Sequence, residues 1–346
     1  MSERLLDGAQ AIREAIDGEM ARDPSVFVMG LGVDDFRGTF GTTLGLKEKH
    51  GAARVFDTPL SEDTMTGVAV GAALAGLRPI HIHIRMDFVL LAMNQLANMA
   101  AKARYMWGGS VHVPMVVRCI IGRSWGQGAQ HSQALHALLM HIPGLKVAAP
   151  STPYDAKGLL TESIRDDNPV VFVEHRMVHR LKGHVPEGSY TVPFGKARVL
   201  AEGSDVTIVG VLHAAAECMR ARALLESKGL KAEVIDPVSL SPLDIAAIAG
   251  SAQRTGRLLV VDNAWTACGA SAEILAQVAE LSGPAVKMRR MGFAPVPCPT
   301  TRNLETLFYP SAGSIASAAW GLCTGDETWR PASAEAPEIK QFKGPF

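Results

Sequence analysis

The chain of 346 residues predicts an α/β fold built from two parallel-sheet domains. Three observations carry this. Short apolar runs alternate with longer alanine- and leucine-rich segments, the pattern of strands covered by helices on both faces. The alternation breaks once, over "HRLKGHVPEGSYTVPFGKARVLAEGSD", a stretch rich in glycine, proline and charge, and then restarts. With 47% hydrophobic residues, the chain can bury a substantial core.

In the first half, strands are read at "VFVMG" (core 27–30), "RVFD" (54–57), "PIHIHI" (79–84), "PMVVRC" (114–119), "LKVAAP" (145–150) and "PVVFVE" (169–174). The helical segments lie between them. The second half opens with a strand at 205–211, then the helix "AAAECMRARALLESKG" closed by Gly229. A strand at 231–237 leads to the helix "SPLDIAAIAGSAQRTG", with Ser241 as N-cap and Pro242 at its first position. A strand at 257–263, a helix at 269–281 and a last strand at 285–292 follow. The domain limits expected are 1–190 and 201–330, joined by a linker at 191–200, with a short hairpin within the Gly- and Pro-rich break at 179–205. Residues 331–346 lack periodicity and read as an extended tail.

Composition excludes several function classes. Lys+Arg and Asp+Glu are equal at 34 each, so no basic surface for nucleic acid is expected. Five scattered cysteines form no CxxC pair, which argues against a zinc knuckle or disulfide framework. Free thiols fit a reducing cytoplasm. The N-terminal stretch has acidic residues and amphipathic spacing rather than a signal core, and no apolar run approaches the ~20 residues of a membrane span. A cytoplasmic protein is expected.

Ligands of open parallel sheets bind beyond the carboxyl ends of strands, so strand-to-helix junctions are the places to search. One is "DTPLSEDTM" (57–65), where Glu62 stands at a helix start. An acid there stabilises the helix by ~0.3–1 kcal/mol, with Ser61 as cap, or it does chemistry. Another is "RSWGQGAQHSQ" (123–133), where His131 and Ser132 open a helix. His131 either exchanges protons near neutral pH or caps and packs. In "RPIHIHIRMDF" (78–88), His81, His83 and Arg85 share one face of a strand. That face is a metal site, a half-exposed surface, or the floor of an active site.

The stretches "RVFDTPLSED", "GVAVGAALAGLRPI", "NQLANMAAKARYM", "GAQHSQ", "PGLKVAAPSTPYDAKGLLTESIRDDNPVVFVEH" and "DPVSLSPLD" resemble the β subunit of thiamine diphosphate-dependent 2-oxoacid dehydrogenases. That group includes the pyruvate, branched-chain and acetoin dehydrogenases. The resemblance spans about 5–325 and is strongest over 54–175. It implies a pyrimidine-binding domain followed by a transketolase-type C-terminal domain, assembled with an α subunit as an α2β2 heterotetramer. By the same resemblance Glu62 is the proton donor beside the cofactor's pyrimidine nitrogen, since a carboxyl held partly out of water keeps its proton. Phe88 matches the aromatic that stacks on the pyrimidine. Leu60 matches a position whose backbone lies near that ring, and His131 a histidine that meets substrate or the lipoyl group. The segment "ESIRDDNPV" resembles a loop that holds K+ through Met115, the carbonyl of Ser163, Asp166 and Asn168. Read from its residues alone, it is ordinary turn chemistry.

Thiamine enzymes hold the diphosphate through Mg2+ with a Gly-Asp-Gly motif, and the chain contains none; its single Gly-Asp is Gly325-Asp326. A separate α chain is therefore expected to hold Mg2+ and the diphosphate. The chain also departs from its relatives at Ile82 and His83, in "CIIGRSWGQG" and in "MGLGVDD". A metal site at the histidines is opposed by the neighbouring Arg85. Instead His83 and Arg85 are read as approaching the pyrimidine end or the substrate channel. With Arg123 they point to a substrate carrying extra negative charge or hydroxyls. The function expected is oxidative decarboxylation of a 2-oxoacid, or acetoin cleavage, with the acyl group passed to a lipoyl-bearing acyltransferase. The alternatives are a two-subunit transketolase-like enzyme or a non-oxidative 2-oxoacid decarboxylase without lipoyl transfer, and a non-catalytic scaffold.

Overall fold

The computed structural model describes residues 4–123 and 126–341. It contains two compact units, one of residues 4–122 and 131–194, the other of Arg123, 126–130 and 195–341.

In the first unit, β1 (Leu5–Asp7) leads into α1 (Gly8–Arg22), where Asp7 and Gln10 exchange capping-box hydrogen bonds. There follow β2 (Val26–Gly30), α2 (Leu46–His50), β3 (Val55–Asp57), α3 (Glu62–Leu74) and β4 (Arg78–His83). A 3-10 turn at Met86–Ala92 and a π turn at Gln95–Ala100 run into α4 (Ala101–Met106). The unit is completed by β5 (Val116–Ile121), α5 (His136–Met140), β6 (Lys146–Ala148), α6 (Pro153–Arg165), β7 (Val170–His175) and β8 (Lys182–His184).

Six of these strands lie in the order β6-β7-β5-β4-β2-β3, every pair parallel. Both faces are covered, so β5 and β7 are buried along their whole length. From β2 the chain moves to β3 on one side and then to β4 on the other. That reversal opens a crevice at the carboxyl ends of these three strands. Gly30 closes β2 at φ 149, where a Cβ would lie 2.4 Å from the Ile82 carbonyl oxygen, so only glycine permits the approach.

Beneath the crevice, Arg118 on β5 donates to both oxygens of Glu174 on β7, at 2.6 and 2.8 Å, and both side chains are buried. Burial pushes the Glu174 carboxyl up, but Arg118 and His179 outweigh it and bring it down to about 2.

The second unit contains β9 (Arg198–Ala201), β10 (Val206–Gly210), α7 (Ala214–Glu226), β11 (Ala232–Asp236) and β12 (Ser239–Ser241). It continues with α8 (Ile245–Thr255), β13 (Arg257–Trp265), α9 (Ala270–Ser282), β14 (Lys287–Phe293), α10 (Arg302–Phe308), α11 (Ala312–Thr324) and α12 (Pro337–Gln341). Its sheet runs β14-β13-β10-β11-β9, parallel except for the antiparallel edge strand β9. Ile208, Val234 and Leu259 from its strands pack with Cys218 and Leu225 of α7 and Ile315 of α11.

Three expectations need correction. The break at 179–205 forms no hairpin: β8 pairs antiparallel with β1, and β9 with β11, so the two strands join different sheets. α8 begins at Ile245, not at Pro242, because the Asp244 carboxylate accepts from the Ala247 and Ala197 amides and Ser241 instead ends β12.

The third concerns the tail, which ends its described course in α12 rather than remaining extended. Glu338 is buried there, 2.7 Å from His213 Nε2, and accepts two bonds from Arg220 at 2.7 and 2.9 Å. Among the described residues, His213, Glu217 and Glu338 are the one His/acid trio close enough for a metal. Arg220 also bonds Glu217 at 2.5 Å, so a guanidinium already balances both acids. No helix of the described residues is long and apolar enough to cross a membrane.

Candidate active site

The ends of β2, β3 and β4 converge on a pocket of about 520 Å³. Leu31 follows β2, Leu60 and Glu62 follow β3, His83 ends β4, and Ile84 and Arg85 follow it. Phe88 and Leu91 come from the 3-10 turn and His131 from the loop before α5.

Glu62 is the first residue of α3 and is half-buried. Ser61 occupies the N-cap position, but its side chain makes no capping bond, so the helix start is not built around it as expected. Leu60 is 77% exposed, which leaves the rim of the pocket uncovered in this chain.

The His131 imidazole meets the Phe88 ring edge to face, with centroids 5.4 Å apart. The loop carrying His131 is pinned to the two residues that precede Phe88, and to Arg176. Gln133 N–H donates to Asp87 Oδ1 at 3.1 Å, Leu135 N–H to Met86 Sδ at 3.0 Å, and Arg176 to the His131 carbonyl at 3.5 Å. These bonds explain why His131 and Ser132 do not open a helix. The amides that would continue one are taken by side chains, and α5 starts only at His136.

His81 and His83 project from β4 toward α3, their rings edge to face at 4.4 Å. The Thr66 hydroxyl lies 3.2 Å from His81 Nε2 and 3.4 Å from His83 Nε2. One hydroxyl donates once, so it gives its proton to one ring and accepts from the other. Burial brings His81 down to about 4; burial and then its neighbour hold His83 well below the ordinary histidine range. Both rings are neutral near pH 7. They form a hydrogen-bonded pair through Thr66, of which His83 lines the pocket.

Arg85 is only 7% exposed, yet it lines the pocket. Its guanidinium lies 5.7 Å from the Phe40 ring centroid, and NH1 donates to the Ile84 carbonyl at 2.9 Å. Burial lowers it to about 10, so it remains a cation at neutral pH. Arg123 is not among the lining residues. Its guanidinium stands 4.8 Å from the Tyr309 ring centroid within the second unit. Ser124 and Trp125 of the same stretch lie outside the described residues.

At the turn of Ser163, Asp166 and Asn168, donors from the chain reach the relevant oxygens. Met115 O accepts from Val170 at 2.9 Å, Ser163 O from Asp166 at 3.4 Å, and Asp166 O from Arg78 at 3.0 Å. Lys146 and Asn168 bond the Asp166 carboxylate, and Arg104 donates to Asn168 Oδ1 at 3.0 Å. Positive charge at this turn is already supplied by the chain's own side chains.

Two contributors escape a reading of the sequence. Thr66 lies one helical turn after Glu62 and was findable from i, i+4 spacing on α3. Phe40 was not, because its φ of 51 and ψ of 30 leave no mark in "RGTFGTT".

An acid, an aromatic face and a histidine meet at the switch point of one parallel domain, which a second α/β domain follows, and both domains match transketolase families. Residues 5–182 match the family "Transketolase, pyrimidine binding domain" and residues 195–315 the family "Transketolase, C-terminal domain". A solved structure described as a split gene transketolase, inactive beta4 tetramer, aligns with TM-score 0.75 over 92% of this chain and 99% of its own. At 22% identity it shows the fold alone.

The chain belongs to this transketolase-like family, and within it to the group of pyruvate dehydrogenase E1 and acetoin oxidoreductase β subunits. It is 45% identical over 328 residues to the acetoin:2,6-dichlorophenolindophenol oxidoreductase subunit beta of Cupriavidus necator, covering 91% of this chain and 97% of that one. It is 43% identical over 307 residues to the pyruvate dehydrogenase E1 component subunit beta of Gracilaria tenuistipitata var. liui, covering 87% and 94%. The acetoin:2,6-dichlorophenolindophenol oxidoreductase subunit beta of Bacillus subtilis is 40% identical over 331 residues, covering 91% and 96%.

Proposed function

We propose that this chain is the β subunit of a thiamine diphosphate-dependent 2-oxoacid dehydrogenase component, working with an α subunit in an α2β2 tetramer. The reaction is oxidative decarboxylation of a 2-oxoacid, or cleavage of an acetoin-like ketol, with the acyl group delivered to the lipoyl arm of an acyltransferase. The observation that carries this reading is the meeting of Glu62, Phe88 and His131 around one pocket at the switch point of the sheet.

The residues present fit the pyrimidine half of the cofactor. Glu62 offers a carboxyl to a ring nitrogen, Phe88 a face for stacking, and Leu31, Ile84 and Leu91 an apolar wall that excludes water. When bound, thiamine diphosphate supplies the carbon nucleophile and takes up the electron pair of the broken bond. Glu62 holds a proton at the ring nitrogen. His131, fixed against Phe88, hydrogen-bonds the substrate oxygen.

Among the described residues lining the pocket there is no second acid beside Glu62 to hold Mg2+. The single Gly-Asp acid, Asp326, is engaged by the Thr328 amide at 2.8 Å and by Trp320 Nε1 at 3.1 Å. Mg2+ and the diphosphate fall to the α chain. Exposed Leu91, Met99, Tyr105, Met106 and Trp107 support a covering partner, since a monomer rarely leaves such large apolar groups together. A K+ ion at Met115, Ser163, Asp166 and Asn168 would compete with Arg78 and Lys146, so no step is routed through it. The five free thiols support a reducing compartment such as the cytoplasm.

The test is co-expression with the α-subunit gene of the same genome and a screen of 2-oxoacids, acetoin and ketose phosphates with an artificial electron acceptor. Turnover that requires both chains and thiamine diphosphate is expected. A complex that forms yet turns over none of these ketones would refute the proposal.

A further inference from the structure

Among the side chains lining the pocket, Arg85 is the one guanidinium, facing the same space as Glu62. Its position is prepared. The Arg85 backbone is extended at φ -133, ψ 128, and the Phe40 ring backs the guanidinium at 5.7 Å. Phe40 itself adopts the left-handed region, at φ 51, which a bulky residue rarely enters. A second guanidinium, that of buried Arg176, lies 5.9 Å from the same ring, and Arg176 also bonds the His131 carbonyl at 3.5 Å. Strained backbone, aromatic ring and two arginines thus form one block that presents Arg85 beside His131.

A guanidinium that is 7% exposed has lost most of its hydration. Asp87 sets an opposite charge near it, but the face turned to the pocket is a planar fork of N–H donors, which a carboxylate or phosphate matches and an alkyl substituent does not. We infer that Arg85 recognises a second anionic group on the substrate, remote from the reacting carbonyl, and sets a preference for substrates that carry one. The inference rests on the proposed reaction for its setting, but not for its binding chemistry.

The test uses the co-expressed αβ complex loaded with thiamine diphosphate and Mg2+. Matched pairs separate the two sources of negative charge: 2-oxoglutarate against 2-oxovalerate for carboxylate, and fructose 6-phosphate against fructose for phosphate. Wild-type enzyme is expected to favour the anionic member of one pair. Arg85→Gln should shrink that ratio of kcat/KM about 10- to 100-fold, mainly through KM, with Arg85→Lys in between. No preference in either pair, or a ratio untouched by Arg85→Gln, overturns the inference. Calorimetry with glutarate, butyrate and inorganic phosphate covers an enzyme inactive on every ketone. Anion binding that Arg85→Gln abolishes would then uphold the Arg85 site while refuting the decarboxylase reading. Anion binding that is absent or independent of Arg85 overturns the site.

Discussion

The imidazole of His131 stands edge-on to the ring of Phe88, with centroids 5.4 Å apart and planes at 80°. The contact joins two segments 43 positions apart, one from the 3-10 turn after β4 and one from the loop before α5. Each side chain fixes the other: the ring cannot tilt without moving the imidazole, and the Asp87 and Met86 bonds keep both loops together. Phe88→Ala is therefore expected to weaken thiamine diphosphate binding to the αβ complex by about 3- to 10-fold, the worth of one aromatic contact. Calorimetric titration measures this, and an unchanged affinity would remove Phe88 from the cofactor site.

The pocket offers an acid and an aromatic face to the pyrimidine, and the sequence has no Gly-Asp-Gly to hold the Mg2+ that carries the diphosphate. Alone, the chain is expected to bind thiamine diphosphate more weakly than micromolar. Titration of the isolated chain at micromolar affinity or better would show that the α subunit is not needed for binding.

Thr66→Val keeps the volume of the side chain but strips the hydroxyl between His81 and His83. Two buried ring nitrogens then lose a partner, at a cost of about 1–3 kcal/mol. Urea unfolding should show the loss, and Thr66→Ser should recover most of it. Equal midpoints for wild type and Thr66→Val would mean that the hydroxyl does not couple the two histidines.

The tail makes a pH-dependent contribution. Burial pushes the Glu338 carboxyl up, but His213 and Arg220 outweigh it and hold it at about 2, against an ordinary value of 4.5. A depressed carboxylate stabilises the fold fully above 4.5 and loses that effect as pH falls toward 2. Glu338→Gln should lower Tm at pH 6, with a gap of up to about 3 kcal/mol that closes as the medium is acidified through this window. A gap independent of pH would assign Glu338 a packing role only.

Much of this was legible in the sequence for a simple reason. Buried parallel strands must be nearly continuous apolar runs, and "MVVRCII" and "PVVFVEH" could be little else, even with Arg118 and Glu174 inside them. These two charges survive there because each is the other's partner across adjacent strands, which no local pattern reveals. Glu62 and His131 stood at strand ends, where the topology places chemistry. Local signals misled at Ser241-Pro242, where Asp244 was the stronger cap, and in the tail, whose helix depends on the distant His213 and Arg220. Arg123 was grouped with Arg85 by sequence proximity to the pocket motifs, whereas its partner is Tyr309, nearly two hundred positions on.

Glu62 is the acid on which the proposed chemistry turns. The decisive measurement is kcat of the co-expressed αβ complex carrying Glu62→Gln, with cofactor affinity followed in parallel by calorimetry. A fall of about 10²- to 10⁴-fold in kcat, with thiamine diphosphate still bound, is predicted for the loss of a positioned proton donor. A complex that keeps near-wild-type kcat without this carboxyl would contradict the role given to Glu62 and the reading built on it.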